Sequence, residues 1–416
     1  MKSFYSFMAV LFIYCIVNTG VAQSSPPHFT YRSGVIKDRQ VGFEKWKSDF
    51  RIIADRNGIH RELTDRFLQE VKLNDEVIRL DRRQPEFITS TGSYIKRAVS
   101  DTRVRRGIDL IKKHGDEFHK IEDKYKVPVS ILVSIWGIES LYGQNYGSFN
   151  VLDSLATLSY DGRRKKWANT QLLAVLHMLQ DGRLSNMGLK GSWAGAMGHT
   201  QFIPSTFADF AVDHTNDGII DFWGNDARDA LASAANYLMR HGWVYGEPWG
   251  IEVRLPKNID YSLLHQDFRK PVSFWENLGI MSVDGKSLPK VKGIASVIIP
   301  GGSTGPAFMI FKNFHVIKKY NNSTSYAIAV GHLADRVIGR SKIRRAWDDS
   351  GKSLAISDVV FVQRYLADKG FYSKKAIDGI IGSKTKTAVR EYQKSRGLRP
   401  DGHIGSQLLK FMKHEE

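Results

Sequence analysis

One sixteen-residue stretch limits what this 416-residue chain can fold into. From Pro128 to Gly143 every side chain is apolar, small or neutral, except Glu139. No other acid occurs between Asp123 and Asp153. Ile131, Leu132, Ile135, Ile138 and Tyr142 recur at three- and four-residue steps, which predicts a helix over 128–142. Pro128 suits its first turn and Gly143 its C-terminal cap. Glu139 then stands in the last turns of a mostly buried helix. Desolvation and the negative end of the helix dipole both disfavour its charge and raise its pKa. A carboxylic acid still protonated near neutral pH is able to donate a proton to a leaving oxygen. A buried glutamate neutralised by an arginine in a core has the same signature, and the segment alone leaves both readings open.

Residues 1–22 read as a cleaved secretory signal: Lys2, then the apolar run Met8–Val17, then Gly20-Val21-Ala22. The run is short for a membrane span, so no stable membrane anchor is expected. Cys15 is the single cysteine, and Tyr14 before it is too large for a lipoprotein signal. A mature chain without thiols suits an exported compartment and excludes disulfides and cysteine–metal sites. The formal charge of +17 calls for a polyanion. Export points to cell wall and membrane surface rather than nucleic acid, so no nucleic-acid partner is expected.

Helical patterning fills about 42–245, in stretches 42–57, 60–72, 101–126, 128–142, 169–181 and 226–241. The stretch 250–315 carries β-type runs such as Ile251–Leu255, Ala295–Ile299 and Ala307–Phe311, and a helix over 324–338 closes it. Residues 341–356 read as a linker. Beyond it, in 357–416, Asp378-Gly379-Ile380-Ile381-Gly382-Ser383 is echoed by Asp401-Gly402-His403-Ile404-Gly405-Ser406. Ser383 and Ser406 are expected to cap the helices that follow, giving a three-helix binding module.

A second dense segment, Gly191–Ser205, holds glycines and alanines that let backbone approach closely. Ser192, Thr200 and Gln201 offer neutral hydrogen bonds, and Trp193 and Phe202 offer flat faces for sugar rings. Tight helix packing explains the small residues equally well.

Several long motifs in order carry a resemblance. They are Ile135-Trp136-Gly137-Ile138-Glu139-Ser140, Gly191-Ser192-Trp193-Ala194-Gly195-Ala196-Met197-Gly198, Gln201-Phe202-Ile203-Pro204-Ser205, Ala232-Ser233-Ala234-Ala235-Asn236-Tyr237-Leu238, His241-Gly242-Trp243, Tyr320-Asn321-Asn322-Ser323 and Tyr326–Gly331. Over about 40–340 the chain resembles the membrane-bound lytic murein transglycosylase B family. Val362-Gln363-Arg364-Tyr365-Leu366 and the two Asp-Gly turns resemble the common peptidoglycan-binding domain.

The resemblance implies a mainly α architecture: a lysozyme-like transglycosylase domain over 23–340, a small β subdomain at about 250–315, and a three-helix peptidoglycan-binding module over 357–416. It implies a periplasmic enzyme acting on peptidoglycan glycan strands. The bond cut is the β-1,4 bond between N-acetylmuramic acid and N-acetylglucosamine, leaving a 1,6-anhydromuramyl end. By position Glu139 becomes the single acid/base. Ser192 and Gln201 line the site, and Tyr94, Tyr237, Tyr320, Asn321 and Tyr326 touch saccharide; Tyr237 and Tyr326 also read as ordinary core. Arg163 and Arg164 are placed to hold a muramyl-peptide carboxylate, and a merely surface-exposed position is the equal alternative for either one singly. A hydrolytic muramidase and a non-catalytic wall-binding protein are the competing readings.

No cofactor is required by this chemistry. The run Asp213–Asp221 resembles an EF-hand loop, with Asp213, Thr215, Asp217 and the Ile219 carbonyl at oxygen-ligand positions and Gly218 at the turn. Position 12 is Gly224 rather than glutamate. Asp229 is the substitute the family suggests for a structural calcium, and a metal-free Asn-Asp-Gly turn is the alternative.

Overall fold

The computed structural model describes residues 33–82, 87–184, 188–347 and 354–415. The expected signal at 1–22 lies outside them. In chain order the elements are α1 (Ser33–Arg56), α2 (Arg61–Glu70), α3 (Asp75–Arg82), β1 (Phe87–Ile88), α4 (Thr91–Ala98), α5 (Asp101–Tyr125) and α6 (Val129–Ser140). Next come β2 (Phe149–Asn150), α7 (Val151–Asp161), α8 (Lys165–Gln180), β3 (Lys190–Gly191), α9 (Pro204–Phe210) and α10 (Arg228–Arg240). The β region holds β4 (Gly250–Arg254), β5 (Lys270–Pro271), α11 (Val272–Asn277), β6 (Met281–Ser282), β7 (Ile294–Ile298) and β8 (Ala307–Ile310). The chain continues through α12 (Lys312–Tyr320), α13 (Thr324–Val337), β9 (Leu354–Ala355), α14 (Ile356–Asp368), α15 (Ser383–Ser395) and α16 (Ser406–Glu415). The fold is mainly helical, as the sequence implies. No helix among the described residues is long and apolar enough to cross a membrane.

Residues 33–82 and 136–237 belong to one compact unit, and residues 87–135 and 238–415 to another. The first unit is helical. Phe43, Trp46 and Phe50 stack along α1 at centroid separations of 5.0 and 5.2 Å. The Trp46 indole donates to Ser159 Oγ at 2.8 Å, tying α1 to α7. Helix α7 escapes sequence periodicity because eight of its eleven residues are buried, so no polar face marks it. Asn150 caps it, its side chain accepting from the N–H groups of Leu152 and Asp153.

The second unit contains an antiparallel sheet in the order β5-β7-β8-β4-β6. Val253, Val297, Met309 and the fully buried Trp275 build its core. The Trp275 indole donates to the Ala295 carbonyl at 3.1 Å, which satisfies its one polar atom. Helices α4 and α13 pack together and are joined by a bond from Ser325 Oγ to Thr91 Oγ1 at 3.0 Å.

Residues 341–347 run along the sheet rather than as a bare spacer. The Arg344 and Arg345 N–H groups donate to the Glu252 carboxylate at 2.7 and 2.8 Å. The Arg345 side chain donates to the Thr304 and Ser303 carbonyls. Leu354–Ala355 pairs with Phe87–Ile88, and helix begins at Ile356, so the last residues of the expected linker are structured.

In the C-terminal module Val362, Leu366, Val389, Tyr392, Leu408 and Met412 form the core. The repeated Asp-Gly turns are each held by a buried glutamine. Gln363 Oε1 accepts from the N–H groups of Asp378 and Gly379 at 3.1 and 2.8 Å, and its Nε2 donates to Asp378 Oδ1 at 2.9 Å. Gln393 Oε1 accepts from Gly402 N–H at 2.8 Å, and its Nε2 donates to Asp401 Oδ1 at 2.8 Å. This replaces the capping expected at Ser383, which is the first helical residue behind an N-cap at Gly382. Replacing Gln363 with Leu should strand two backbone donors and destabilise the module by about 2–4 kcal/mol. Earlier thermal unfolding and faster proteolysis of the module would register it; unchanged melting would refute the clamp.

Candidate active site

Helix α6 forms because its interior is apolar on every side: Ile131, Leu132, Val133, Ile135 and Trp136 are all buried. It ends at Ser140, two residues short of the predicted end. Leu141, Tyr142 and Gly143 follow with φ of 53°, 60° and 78°. Two of these are not glycine, so the turn is strained unless its surroundings fix it. Glu139 lies in the last turn and is only 6% exposed.

What fixes that turn is a serine and a histidine. Ser140 Oγ donates to the His199 carbonyl at 2.7 Å and accepts from Gly143 N–H at 3.0 Å. The Trp136 indole donates to His199 Nδ1 at 2.9 Å. A Cβ at Gly143 would sit 2.5 Å from His199 Cε1, so only glycine fits.

The glycine-rich segment does make close backbone approaches, but to its own chain. Gly191 pairs with Phe149, Met197 bridges Gly191 and Phe202, and a Cβ at Gly198 would sit 2.1 Å from the Phe222 carbonyl oxygen. It is thus neither a helix-packing stripe nor loose loop. Ser192 and Gln201 are both buried. Ser192 Oγ accepts from Ala196 N–H at 3.0 Å. Gln201, at φ 52°, donates from Nε2 to the Gly198 and Tyr146 carbonyls at 2.9 and 3.1 Å.

Tyr237 belongs to the same unit. Its ring packs against Phe210 and Phe202 at 4.8 and 5.9 Å, and burial pushes its hydroxyl pKa up to about 12. Tyr94, Tyr320, Asn321 and Tyr326 lie in the other unit. Tyr94 is on α4, Tyr320 ends α12, Asn321 caps it, and the buried Tyr326 lies in the first turn of α13. Asn321 Oδ1 is buried and accepts no hydrogen bond from the protein.

Arg163 is already paired within the protein. Its guanidinium clasps Asp81, whose side chain is 1% exposed: Nε donates to Oδ2 at 2.7 Å and Nη2 to Oδ1 and to the Asp81 carbonyl. Arg164 Nε lies 2.8 Å from Asp81 Oδ1, and its guanidinium stands over the Trp193 ring. A buried carboxylate must be paired, and Asp81 takes the bidentate contact that a peptide carboxylate was expected to receive.

The EF-hand-like loop is knit by its own backbone. Asp213 accepts from the N–H groups of Asn216 and Gly218 and from the Thr215 hydroxyl. Asp217 accepts from Ile219 N–H at 2.9 Å. Asp229, 2% exposed, accepts from the N–H groups of His214, Thr215 and Asp221 at 2.8, 3.1 and 3.0 Å. Among the described residues no three His, Cys, Asp or Glu side chains gather as a metal cage.

The transglycosylase SLT domain model matches residues 42–335. The chain belongs to that family. Residues 356–412 of the transglycosylase match the peptidoglycan binding domain model. It is 31% identical to membrane-bound lytic murein transglycosylase B of Escherichia coli over 295 residues, 68% of this chain and 80% of the relative. The structure of SltB3 from Pseudomonas aeruginosa in complex with NAG-anhNAM-pentapeptide is similar at TM-score 0.85 and 43% identity, covering 89% of this chain and 99% of that one. Escherichia coli SLT35 in complex with calcium is similar at TM-score 0.61 and 30% identity, covering 70% and 92%. The enzyme is a lytic murein transglycosylase, a lyase acting on peptidoglycan.

His199, Trp136, Tyr146 and Asp81 complete the arrangement, and sequence reasoning gave them no role. His199 lies within the glycine-rich segment Gly191–Ser205, but nothing local says that its ring reaches back to α6.

Proposed function

We propose that the transglycosylase cleaves the β-1,4 bond between N-acetylmuramic acid and N-acetylglucosamine without water, with Glu139 as its single acid/base. The observation that carries this is a nearly inaccessible glutamate, the lone acid of an apolar helix, at a rigidly held turn. Glu139 gives its proton to the glycosidic oxygen as the C1–O bond breaks and the electron pair stays with that oxygen. The resulting carboxylate takes the proton of the muramyl 6-hydroxyl as O6 bonds to C1. Atoms balance without water, and hydrolysis with its usual second carboxylate is not needed. Ser192, Gln201, Tyr94, Tyr237, Tyr320, Asn321 and Tyr326 are the proposed saccharide contacts; the unsatisfied Asn321 Oδ1 supports that role for Asn321. The complex of SltB3 with an anhydro-muramyl peptide supports the product assignment. The periplasm is the proposed compartment, on the secretory character of residues 1–22.

Mass analysis of muropeptides from digested sacculi tests the product. Anhydro ends are expected; products one water heavier, with reducing ends, would replace this reading with a muramidase. Wild-type protein that binds sacculi without cutting them would make it a wall-binding protein. Removing residues 357–416 should weaken sedimentation with sacculi about tenfold or more, as a lost tether does. Undiminished sedimentation would deny the module a binding role.

A further inference from the structure

We infer that His199 is a positioning residue for the acid/base step, held in the neutral Nε2–H tautomer and fixing the end of helix α6 on which Glu139 stands. The inference rests on the reading of Glu139 as the acid/base.

The tautomer follows from donor and acceptor bookkeeping. The Trp136 indole has only a proton to give, so His199 Nδ1, 2.9 Å away, must present a lone pair. The ring proton is then on Nε2. That nitrogen lies 3.2 Å from the Tyr146 hydroxyl, which spends its own proton on the Gly224 carbonyl at 2.8 Å. The polarity therefore runs one way, from Trp136 through His199 and Tyr146 to Gly224. No member of the chain is left with two donors or two acceptors facing each other.

The ring is also sterically trapped. It meets Trp136 and Tyr146 edge-on at 5.5 and 4.9 Å, and it fills the space above Gly143. Its backbone is pinned as well: His199 N–H donates to the Phe222 carbonyl at 2.8 Å, and its carbonyl accepts from Ser140 Oγ. Trp136 and Ser140 bracket Glu139 on α6, three residues before and one after. The left-handed run Leu141-Tyr142-Gly143 needs such outside support. At 2% exposure, burial draws the His199 pKa down to about 4, and Asp226 and the Gly224 carbonyl oppose this without cancelling it. The ring thus keeps one uncharged form across neutral pH. Protonating Nδ1 would place two donors face to face against the indole.

Nitrogen-15 histidine NMR of the wild-type protein tests the tautomer. His199 is expected to show a pyridine-type Nδ1 and a protonated Nε2, unchanged between about pH 5 and 8. A protonated Nδ1, or titration in that range, would overturn the inference. The positioning role is tested with His199→Phe, which keeps the bulk and loses both ring hydrogen bonds. On soluble glycan oligosaccharides its kcat should fall roughly 10- to 100-fold with KM within about twofold, as for a displaced catalytic group. His199→Asn, which keeps an acceptor near the Nδ1 position, should recover a large part of that loss. A His199→Phe enzyme that melts lower but keeps kcat would make the residue structural only. If Glu139→Gln retains full activity, the catalytic reading itself fails. If Glu139→Gln is inactive and His199→Phe keeps kcat, only the positioning inference fails.

Discussion

Glu139→Gln should abolish lysis of sacculi, lowering the rate roughly a thousandfold or more while leaving the protein folded. The amide has nearly the shape of the carboxyl group, so the packing around this 6%-exposed side chain is retained. What it lacks is the acidic proton and, after transfer, the base. Both half-reactions of the proposed mechanism would stop, because that mechanism gives both to one residue. A second carboxylate acting independently would leave a measurable part of the rate. Muropeptide release from sacculi and circular dichroism melting together decide it. Lysis within about tenfold of wild type, with unchanged melting, would remove Glu139 from the mechanism.

Asp229→Ala should lower stability by about 3–5 kcal/mol, the sum of orphaning three backbone donors that meet a buried carboxylate. The N–H groups of His214, Thr215 and Asp221 lose this shared acceptor at once. One opposing effect exists. Asp221 is held above the ordinary carboxylate range, by burial first and then by Asp229, Asp226 and Asp217 nearby, so removing Asp229 relieves some repulsion. Asp221 is partly exposed, which screens that gain below the loss. The melting temperature should fall by roughly 8–15 °C for a unit of this size. Asp229→Asn, with one oxygen left to accept, should fall less. Because no three His, Cys, Asp or Glu side chains gather as a cage among the described residues, a chelator should leave wild-type melting unchanged. A chelator effect as large as that of the alanine variant would instead make Asp229 a metal ligand.

The long amphipathic helices, the β-type stretch after residue 250 and the terminal three-helix module were legible because each carries a period or a repeated turn. The short helices α3, α4, α9 and α12 offer too few turns for a period to register. Helix α7 is too buried to have one. Glu139, Ser192 and Gln201 stood out in the sequence by their surroundings, and the structure buries all three. The pairing of Arg163 with Asp81 was not legible, because Asp81 is 82 residues away and buried by packing that no local pattern encodes. The calcium expectation had the same weakness. Spacing marked the oxygen donors, but which hydrogens they would satisfy depended on how the loop closed on Asp229.

Sequence alone determined that Glu139 is buried on a helix, because an apolar run cannot remain in water and the acid must follow its neighbours inside. It also determined the family and the class of reaction, through long motifs in order. The tertiary structure decided how Glu139 is held. The strained turn after Ser140 is braced by His199, 59 residues beyond Ser140, which supplies an acceptor for Trp136 and a carbonyl for Ser140. Those bonds join segments far apart in the chain, and hydrogen-bond geometry exists only once both have been brought to within about 3 Å.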